Sequence, residues 1–213
     1  MPIFLVVDDH DAVLQFLLPM LQNAYPAARL LTARDCKTAK EQLQQQPSLV
    51  LLDIYLPEVL GDLACYEAGL GLLEAVMASE SVPNILVLGT RVKPLVRLNS
   101  KIYHYPAGFT AIGKTEAMNK LLKMVDLTLR GSVSLPTEVR SRPDFKPQWL
   151  TLLTLKFQRG LSDRAIAERM GISTRTVRSY WLHIQDDLEV YDDPDKDLRI
   201  QIEQAARRAG LID

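Results

Sequence analysis

From Met1 to Arg130, short apolar runs alternate with stretches of helical period, a pattern that predicts a parallel sheet wrapped by helices. The expected strands are Ile3 to Val7, Ala28 to Thr32, Leu49 to Leu52, Ile85 to Leu88 and Phe109 to Ile112. Helices are expected over Ala12 to Ala24, Cys36 to Gln46, Tyr66 to Ala78, a weak stretch near Pro94 to Ile102, and Glu116 to Leu129. Together they make a five-unit (βα) domain over 1–130. From Gly131 to Pro147 the chain turns to Gly, Ser, Arg and three prolines (Pro136, Pro143, Pro147), the composition of a linker over 131–147. Only helical period remains over 148–213, which predicts a small all-α domain.

Composition adds limits to this picture. A length of 213 residues with 47% hydrophobic content is that of a folded chain with two modest cores. Lys plus Arg (25) nearly balance Asp plus Glu (26), and a net charge of -1 neither demands nor excludes a polyanionic partner. Local charge must decide that. The two cysteines, Cys36 and Cys65, have neither a zinc spacing nor a disulfide framework, which suits a reducing cytoplasm. No run approaches the ~20 apolar residues of a membrane span, and no basic leader precedes Ile3. The expectation is a cytoplasmic protein with no membrane partner. Gln42 to Gln46 reads as the exposed end of a helix.

In open parallel sheets the functional groups gather where strands end at their carboxyl edges. Asp8 and Asp9 close the first expected strand, Asp53 the third and Thr90 the fourth, and Lys114 follows the fifth. A single Asp at a strand end is more often a turn former or a helix N-cap, the role expected of Asp11 before Ala12. Five polar residues at five strand ends are much harder to explain that way. Three neighbouring carboxylates repel unless a cation joins them, and Mg²⁺, a hard ion with oxygen ligands, meets that need. The same set suits phosphoryl transfer to Asp53, with Thr90 donating a hydrogen bond and Lys114 supplying an ammonium.

These residues resemble the receiver domain of two-component response regulators. The resemblance is carried by Val7-Asp8-Asp9-His10-Asp11, by Leu52-Asp53-Ile54-Tyr55-Leu56-Pro57 with Gly61, by Gly89-Thr90 and by Lys114. It implies a flavodoxin-like doubly wound (βα)5 parallel sheet, Mg²⁺ on Asp8, Asp9 and Asp53, phosphorylation of Asp53 by a histidine kinase, and phosphate sensing by Thr90 and Lys114. Three departures touch the switch. Arg91 follows Thr90 where the family has a small residue; it either meets the phosphate or points into solvent. Ala111 stands where an aromatic is common; either Phe109, Tyr103 or Tyr105 substitutes for it or the signal leaves by another route, and since aromatics near a strand are more often core than switch, none of the three is assigned a function. An insertion around Gly61 to Ala68 lies beside the phosphorylation edge, where loops often carry recognition, although a tolerated surface insertion is the simpler reading.

In the last domain the informative string runs from Gly160 to Val190. Ser162 is placed to N-cap a helix Asp163 to Met170, Gly171 permits a tight turn, and Ser173 is placed to N-cap a second helix towards Leu188. Ala167 allows close passage of that helix, with Ile172 and Val177 in the angle. Val177, Trp181, Ile184 and Leu188 share one face, and Arg175, Arg178, Ser179 and Leu182 the other. The second face suits the major groove, where Arg pairs with guanine and Leu meets a thymine methyl. Lys156, Arg159, Arg164, Arg169, Arg175 and Arg178 outnumber Asp163 and Glu168 locally. Phosphates reward such an excess.

This segment resembles the DNA-binding helix-turn-helix of the NarL/FixJ/LuxR family, through Gly160-Leu161-Ser162, Ala165 to Ser173, and Thr176-Val177-Arg178. The resemblance implies DNA contact by Arg175, Thr176, Arg178, Ser179 and Leu182, and a homodimer held by a last helix, Asp197 to Ala209. Leu198, Ile202, Ala205 and Ala209 give that helix a stripe fit for a dimer or for its own core. Asp186, Asp187, Glu189, Asp192, Asp193, Asp195 and Asp197 form an acidic run that would repel phosphates if turned towards the duplex. The function expected is a phosphorylation-controlled transcription regulator rather than an enzyme. An interaction protein with weak DNA binding is the alternative. A phosphatase with an aspartyl intermediate fits Asp8-Asp9-His10-Asp11 poorly.

Overall fold

The computed structural model describes residues 1–140, 145–191 and 196–213, with the backbone alone at 117–119. The chain divides into two compact units, one of Met1–Val92 with Ser100–Arg140, the other of Lys93–Asn99 with the chain beyond Arg140. The first unit alternates strands and helices: β1 (Ile3–Val7), α1 (Asp11–Ala24), β2 (Arg29–Ala33), α2 (Cys36–Leu43), β3 (Leu49–Leu52), α3 (Tyr66–Met77), β4 (Asn84–Gly89), α4 (Asn99–Tyr103), β5 (Phe109–Gly113) and α5 (Lys114–Leu129). Its sheet is parallel throughout, in the order β2-β1-β3-β4-β5-β6. The fold is α/β and doubly wound, followed by a helix-turn-helix.

A sixth strand, β6 (Val133–Ser134), and a short α6 (Thr137–Arg140) arise within the segment expected as linker. Val133 and Ser134 register with Phe109 and Thr110, so the edge of β5 is covered rather than bare. The Pro and Gly signal marked the turn here but not the two-residue pairing, which depends on that neighbouring edge. Pro143 lies outside the described residues.

β3 is buried along its whole length and β5 nearly so, as strands covered on both faces must be. One face of the sheet meets α1 and α5 through Phe4, Val6, Leu17, Leu21, Leu121 and Val125. Local chemistry sets the helix starts. Asp35 accepts from the Thr38 N–H at 2.7 Å and caps α2. Asp11, expected as the cap of α1, is instead its first residue, ion-paired to Arg34 at 3.2 Å; the cap position is His10, whose side chain makes no capping bond. The helix thus begins one residue early, where Asp11 favours the positive end of the dipole. The weak helix expected near Pro94 is a 3₁₀ turn, Lys93–Leu98, running into α4. Pro94, Leu95, Val96 and Leu98 are all buried there, so no amphipathic period exists to read.

The second unit consists of α7 (Pro147–Leu153), a π-turn over Thr154–Gln158, α8 (Asp163–Met170), α9 (Thr174–Asp187) and α10 (Leu198–Arg208), packed with the 3₁₀ turn Lys93–Leu98. Val96 joins a core of Trp149, Leu152, Ile166, Val177, Trp181, Ile184 and Ile202. Arg97 Nε donates to the Gly210 carbonyl at 2.8 Å, and its Nη2 lies 2.6 Å from Asp213 Oδ1. Leu198, Ile202, Ala205 and Ala209 of α10 all pack into this unit's own core. The stripe that suggested a dimer contact is therefore spent within the unit, and Ile200, 55% exposed, is the large apolar residue α10 leaves outward. Among the described residues no helix is long and apolar enough to cross a membrane.

α3 begins against the end of β3. A Cβ on Gly69 would fall 2.2 Å from the Ile54 carbonyl oxygen, whereas one on Gly71 meets nothing within 4 Å. Gly69→Ala is expected to destabilise the chain by ~1–3 kcal/mol through backbone displacement. Gly71→Ala should instead stabilise it by ~0.5–1 kcal/mol through helix propensity. Denaturant unfolding of both variants measures the contrast; equal effects would place α3 farther from Ile54.

Candidate functional site

Strand register assembles the site. Val7 pairs with Leu52, so the next residues, Asp8 and Asp53, emerge side by side. Gly89 pairs with Gly113, so Thr90 and Lys114 do the same one strand further on. Asp8 and Asp53 are 2% and 4% exposed. Two carboxylates withdrawn that far from water require a counter-charge. Lys114 supplies it: Nζ lies 2.7 Å from Asp8 Oδ2 and 2.7 Å from Asp53 Oδ2. Asp53 Oδ1 accepts from the Tyr55 N–H at 3.0 Å. Burial pushes the Asp53 carboxyl above the ordinary aspartate value, against the pull of Lys114 and the Tyr55 N–H. Burial opposes the charge on Lys114, yet its bonds to Asp53 and Asp8 hold its pKa above the usual lysine value.

Asp9 follows on the loop, its side chain 22% exposed. Its Oδ1 is buried without a hydrogen-bond partner, although His10 Nδ1 lies 2.6 Å away. An orphaned buried carboxylate oxygen beside two more carboxylates is the donor set a hard divalent cation takes. Among the described residues, Asp8, Asp9, His10 and Asp53 form a group whose ligand atoms all lie within 4.8 Å of one another. Thr90 follows β4 with an exposed side chain and takes no part in the Lys114 hydrogen bonds. Arg91 is exposed as well. Ala111, Phe109 and Tyr105 are buried, with the Tyr105 hydroxyl on the Pro83 carbonyl at 2.5 Å, while Tyr103 is 49% exposed.

The insertion forms a loop between β3 and α3 pinned at its stem. Leu56 bridges Cys65, the Cys36 and Lys37 N–H groups donate to the Pro57 and Glu58 carbonyls, and Lys40 pairs with Glu58 at 2.7 Å. Its tip leaves Val59, Leu60 and Leu63 exposed. Burial pushes the Cys36 thiol up to about 12, consistent with a packing role.

In the second unit, Ser162 and Ser173 cap α8 and α9, accepting from the Ala165 and Thr176 N–H groups at 3.3 and 3.0 Å. Gly171 between them has φ +65, the left-handed turn that glycine takes without strain. Arg175, Arg178 and Ser179 are exposed and Leu182 is 63% exposed, so one face of α9 is presented to solvent. Thr176 departs from this set, because its hydroxyl meets that of Ser173 at 2.8 Å. Lys156 is half-buried; Arg159, Arg164 and Arg169 are exposed, Arg164 pairing with Glu168 at 3.2 Å. Asp192, Asp193 and Asp195 of the acidic run lie outside the described residues.

Two sets of residues received no role from the sequence. His10 stood inside the quoted motif, and an imidazole among three aspartates was the available signal. The other set is tertiary. Asp163 accepts from Trp181 Nε1 at 3.3 Å and faces Arg199 Nη2 at 3.5 Å, while the Arg199 guanidinium stacks 3.6 Å from the Trp181 ring centre. This network joins α8, α9 and α10. No local pattern marks it.

Comparison with known proteins bears on both units. No family model matches the chain. It is 25% identical over 194 residues to the transcriptional regulatory protein YdfI of Bacillus subtilis (strain 168), covering 82% of this chain and 84% of that protein. Among solved structures it is similar to the response regulator RcsB in complex with DNA, at TM-score 0.57 and 18% identity over 97% of this chain and 98% of the other. RcsB of Salmonella enterica serovar Typhimurium, bound to promoter rprA with the phosphomimetic BeF3-, matches at TM-score 0.57 and 19% identity over 96% and 98%. A LuxR-family response regulator from Aurantimonas sp. SI85-9A1 matches at TM-score 0.50 and 17% identity over 66% of this chain and 94% of that one. The structural neighbours are thus two-component response regulators of the LuxR family, and they establish the fold across both units.

The cap of α9 gives a direct check on that helix. Ser173→Ala should cost ~1 kcal/mol of stability, because the Thr176 N–H loses its acceptor. Denaturant unfolding reads the loss, and an unchanged midpoint would show that Ser173 does not cap α9.

Proposed function

We propose that this chain is a DNA-binding response regulator in which phosphorylation of Asp53 by a histidine kinase controls promoter occupancy by the α9 face. The observation that carries the reading is the buried pair Asp53 and Asp8, held by Lys114 at 2.7 Å from each, in a chain that also presents a basic, solvent-facing helix. Its support among relatives is the similarity to a curated transcriptional regulator and to structures of response regulators on DNA.

An Asp53 oxygen attacks the phosphorus of a phosphohistidine, the P–N bond breaks, and the imidazole leaves with a proton. Lys114, already against Asp53, supplies positive charge for the new phosphoryl oxygens, and Thr90 at the neighbouring strand end supplies a hydroxyl. Asp8 and Asp9, with Asp53, would hold Mg²⁺, which would supply further positive charge for those oxygens. Exposed Arg91, in place of a small residue, adds a cation at the mouth of the pocket. On the output side Arg175, Arg178, Ser179 and Leu182 meet base edges or the backbone. Thr176 serves the turn, and the flanking arginines hold phosphates. A homodimer is retained in this reading through a surface other than the apolar stripe of α10, and the protein acts in the cytoplasm.

Supplied with Mg²⁺ and acetyl phosphate, the purified full chain should gain the mass of a single phosphoryl group, and Asp53→Asn should gain none. A wild-type chain that stays unmodified would remove the phosphoswitch. On duplex DNA selected by the full chain from a random pool, Arg178→Ala should lose ~1–3 kcal/mol of specific binding while retaining most non-specific binding. An equal loss on all sequences would make Arg178 a phosphate contact.

A further inference from the structure

We infer that His10 is a direct ligand of the cation in the acceptor pocket, which makes the site a mixed imidazole and carboxylate centre that prefers Mn²⁺ to Mg²⁺. The inference deepens the phosphoacceptor reading and rests on it.

The oxygens of the pocket divide into two sets. Lys114 occupies Oδ2 of Asp8 and Oδ2 of Asp53, and the Tyr55 N–H occupies Oδ1 of Asp53. The Oδ1 atoms of Asp8 and Asp9 lie on the side of His10, whose Nδ1 is 3.3 Å and 2.6 Å from them. A cation held there does not compete with the lysine for an oxygen. Despite the 2.6 Å approach of His10 Nδ1, Asp9 Oδ1 has no hydrogen-bond partner. The two atoms converge on one side of the pocket.

The surroundings keep both groups available. Arg34 sends Nη2 to the Asp9 backbone carbonyl at 3.2 Å and Nη1 to Asp11, not to the Asp9 carboxylate. His10 sits at the cap position of α1 without using its ring to cap. Its N–H donates to Asp8 Oδ1 at 3.0 Å, which fixes the backbone that carries the ring beside the pocket. The side chain is 61% exposed, leaving a face open for the waters a six-coordinate ion retains. Mg²⁺ takes oxygen ligands and gains little from an imidazole, whereas Mn²⁺ accepts oxygen and, with the later divalent ions, imidazole nitrogen. Replacing one water by Nδ1 therefore favours Mn²⁺ selectively.

The test uses Mn²⁺ alone, titrated into the full chain and followed by the electron paramagnetic resonance of the free ion, with Mg²⁺ as competitor. Wild type is expected to bind Mn²⁺ about tenfold more tightly than Mg²⁺, and His10→Ala to lose that preference while Mg²⁺ affinity barely moves. Pulsed resonance of the bound ion should show nitrogen coupling in wild type and none in His10→Ala. An unchanged preference together with no nitrogen coupling in wild type would overturn the inference and leave His10 as a neighbour of Asp9 only. Acetyl phosphate labelling separates the two levels. Labelling that persists while His10→Ala changes nothing sinks the imidazole ligand alone; lost labelling with nitrogen coupling intact sinks the phosphoswitch and keeps the metal site.

Discussion

Much of the first unit depends on one ammonium held between two buried carboxylates. Asp8 and Asp53 are almost wholly withdrawn from solvent, and neither is tolerable there as an isolated anion. Lys114, the first residue of α5, reaches both from the end of β5. The strand pairs Val7 with Leu52 and Gly89 with Gly113 must hold their register for the three groups to meet. A slip by one residue would turn the side chains to the opposite face and leave a carboxylate unpaired. The pocket is thus also a constraint on the fold, and with two carboxylates against one ammonium it keeps a net negative charge.

The strong hydrophobic runs made the sheet legible in the sequence, because strands buried on both faces carry an unbroken apolar signal that flanking aspartates terminate. Ser162, Gly171 and Ser173 made the helix-turn-helix equally legible, since capping and left-handed turns are local in cause. Where cause was not local, reading failed. β6 exists because the edge of β5 lies beside it, Thr176 is drawn to Ser173, and the stripe of α10 found its partners in the core. Sequence spacing placed Asp8, Asp9, Asp53, Thr90 and Lys114 at one edge; it did not separate the three groups in direct contact from Thr90 beside them.

The two units solve the problem of carrying charge differently. In the first, Asp8 and Asp53 are buried and share the Lys114 ammonium. In the second, Arg175 and Arg178 stand outward on α9, exposed to solvent. Asp163, Trp181 and Arg199 form a half-buried acid and base that join α9 to α8 and α10.

The 3₁₀ turn Lys93–Leu98 carries a consequence for how this chain acquires its structure. Its side chains complete the core of the second unit, and Arg97 bonds to residues 113 and 116 positions away in sequence. Closing so long a loop is entropically slow, and the cost grows only logarithmically with its length. The second unit is therefore not a contiguous stretch. A cut after Arg140 would strip Val96 from its interior and the guanidinium from Gly210, so the fragment would expose apolar surface that the intact chain covers. Thr90 lies three positions before the start of that turn, so the chain passes from the end of β4 to a piece of the helical core within three residues.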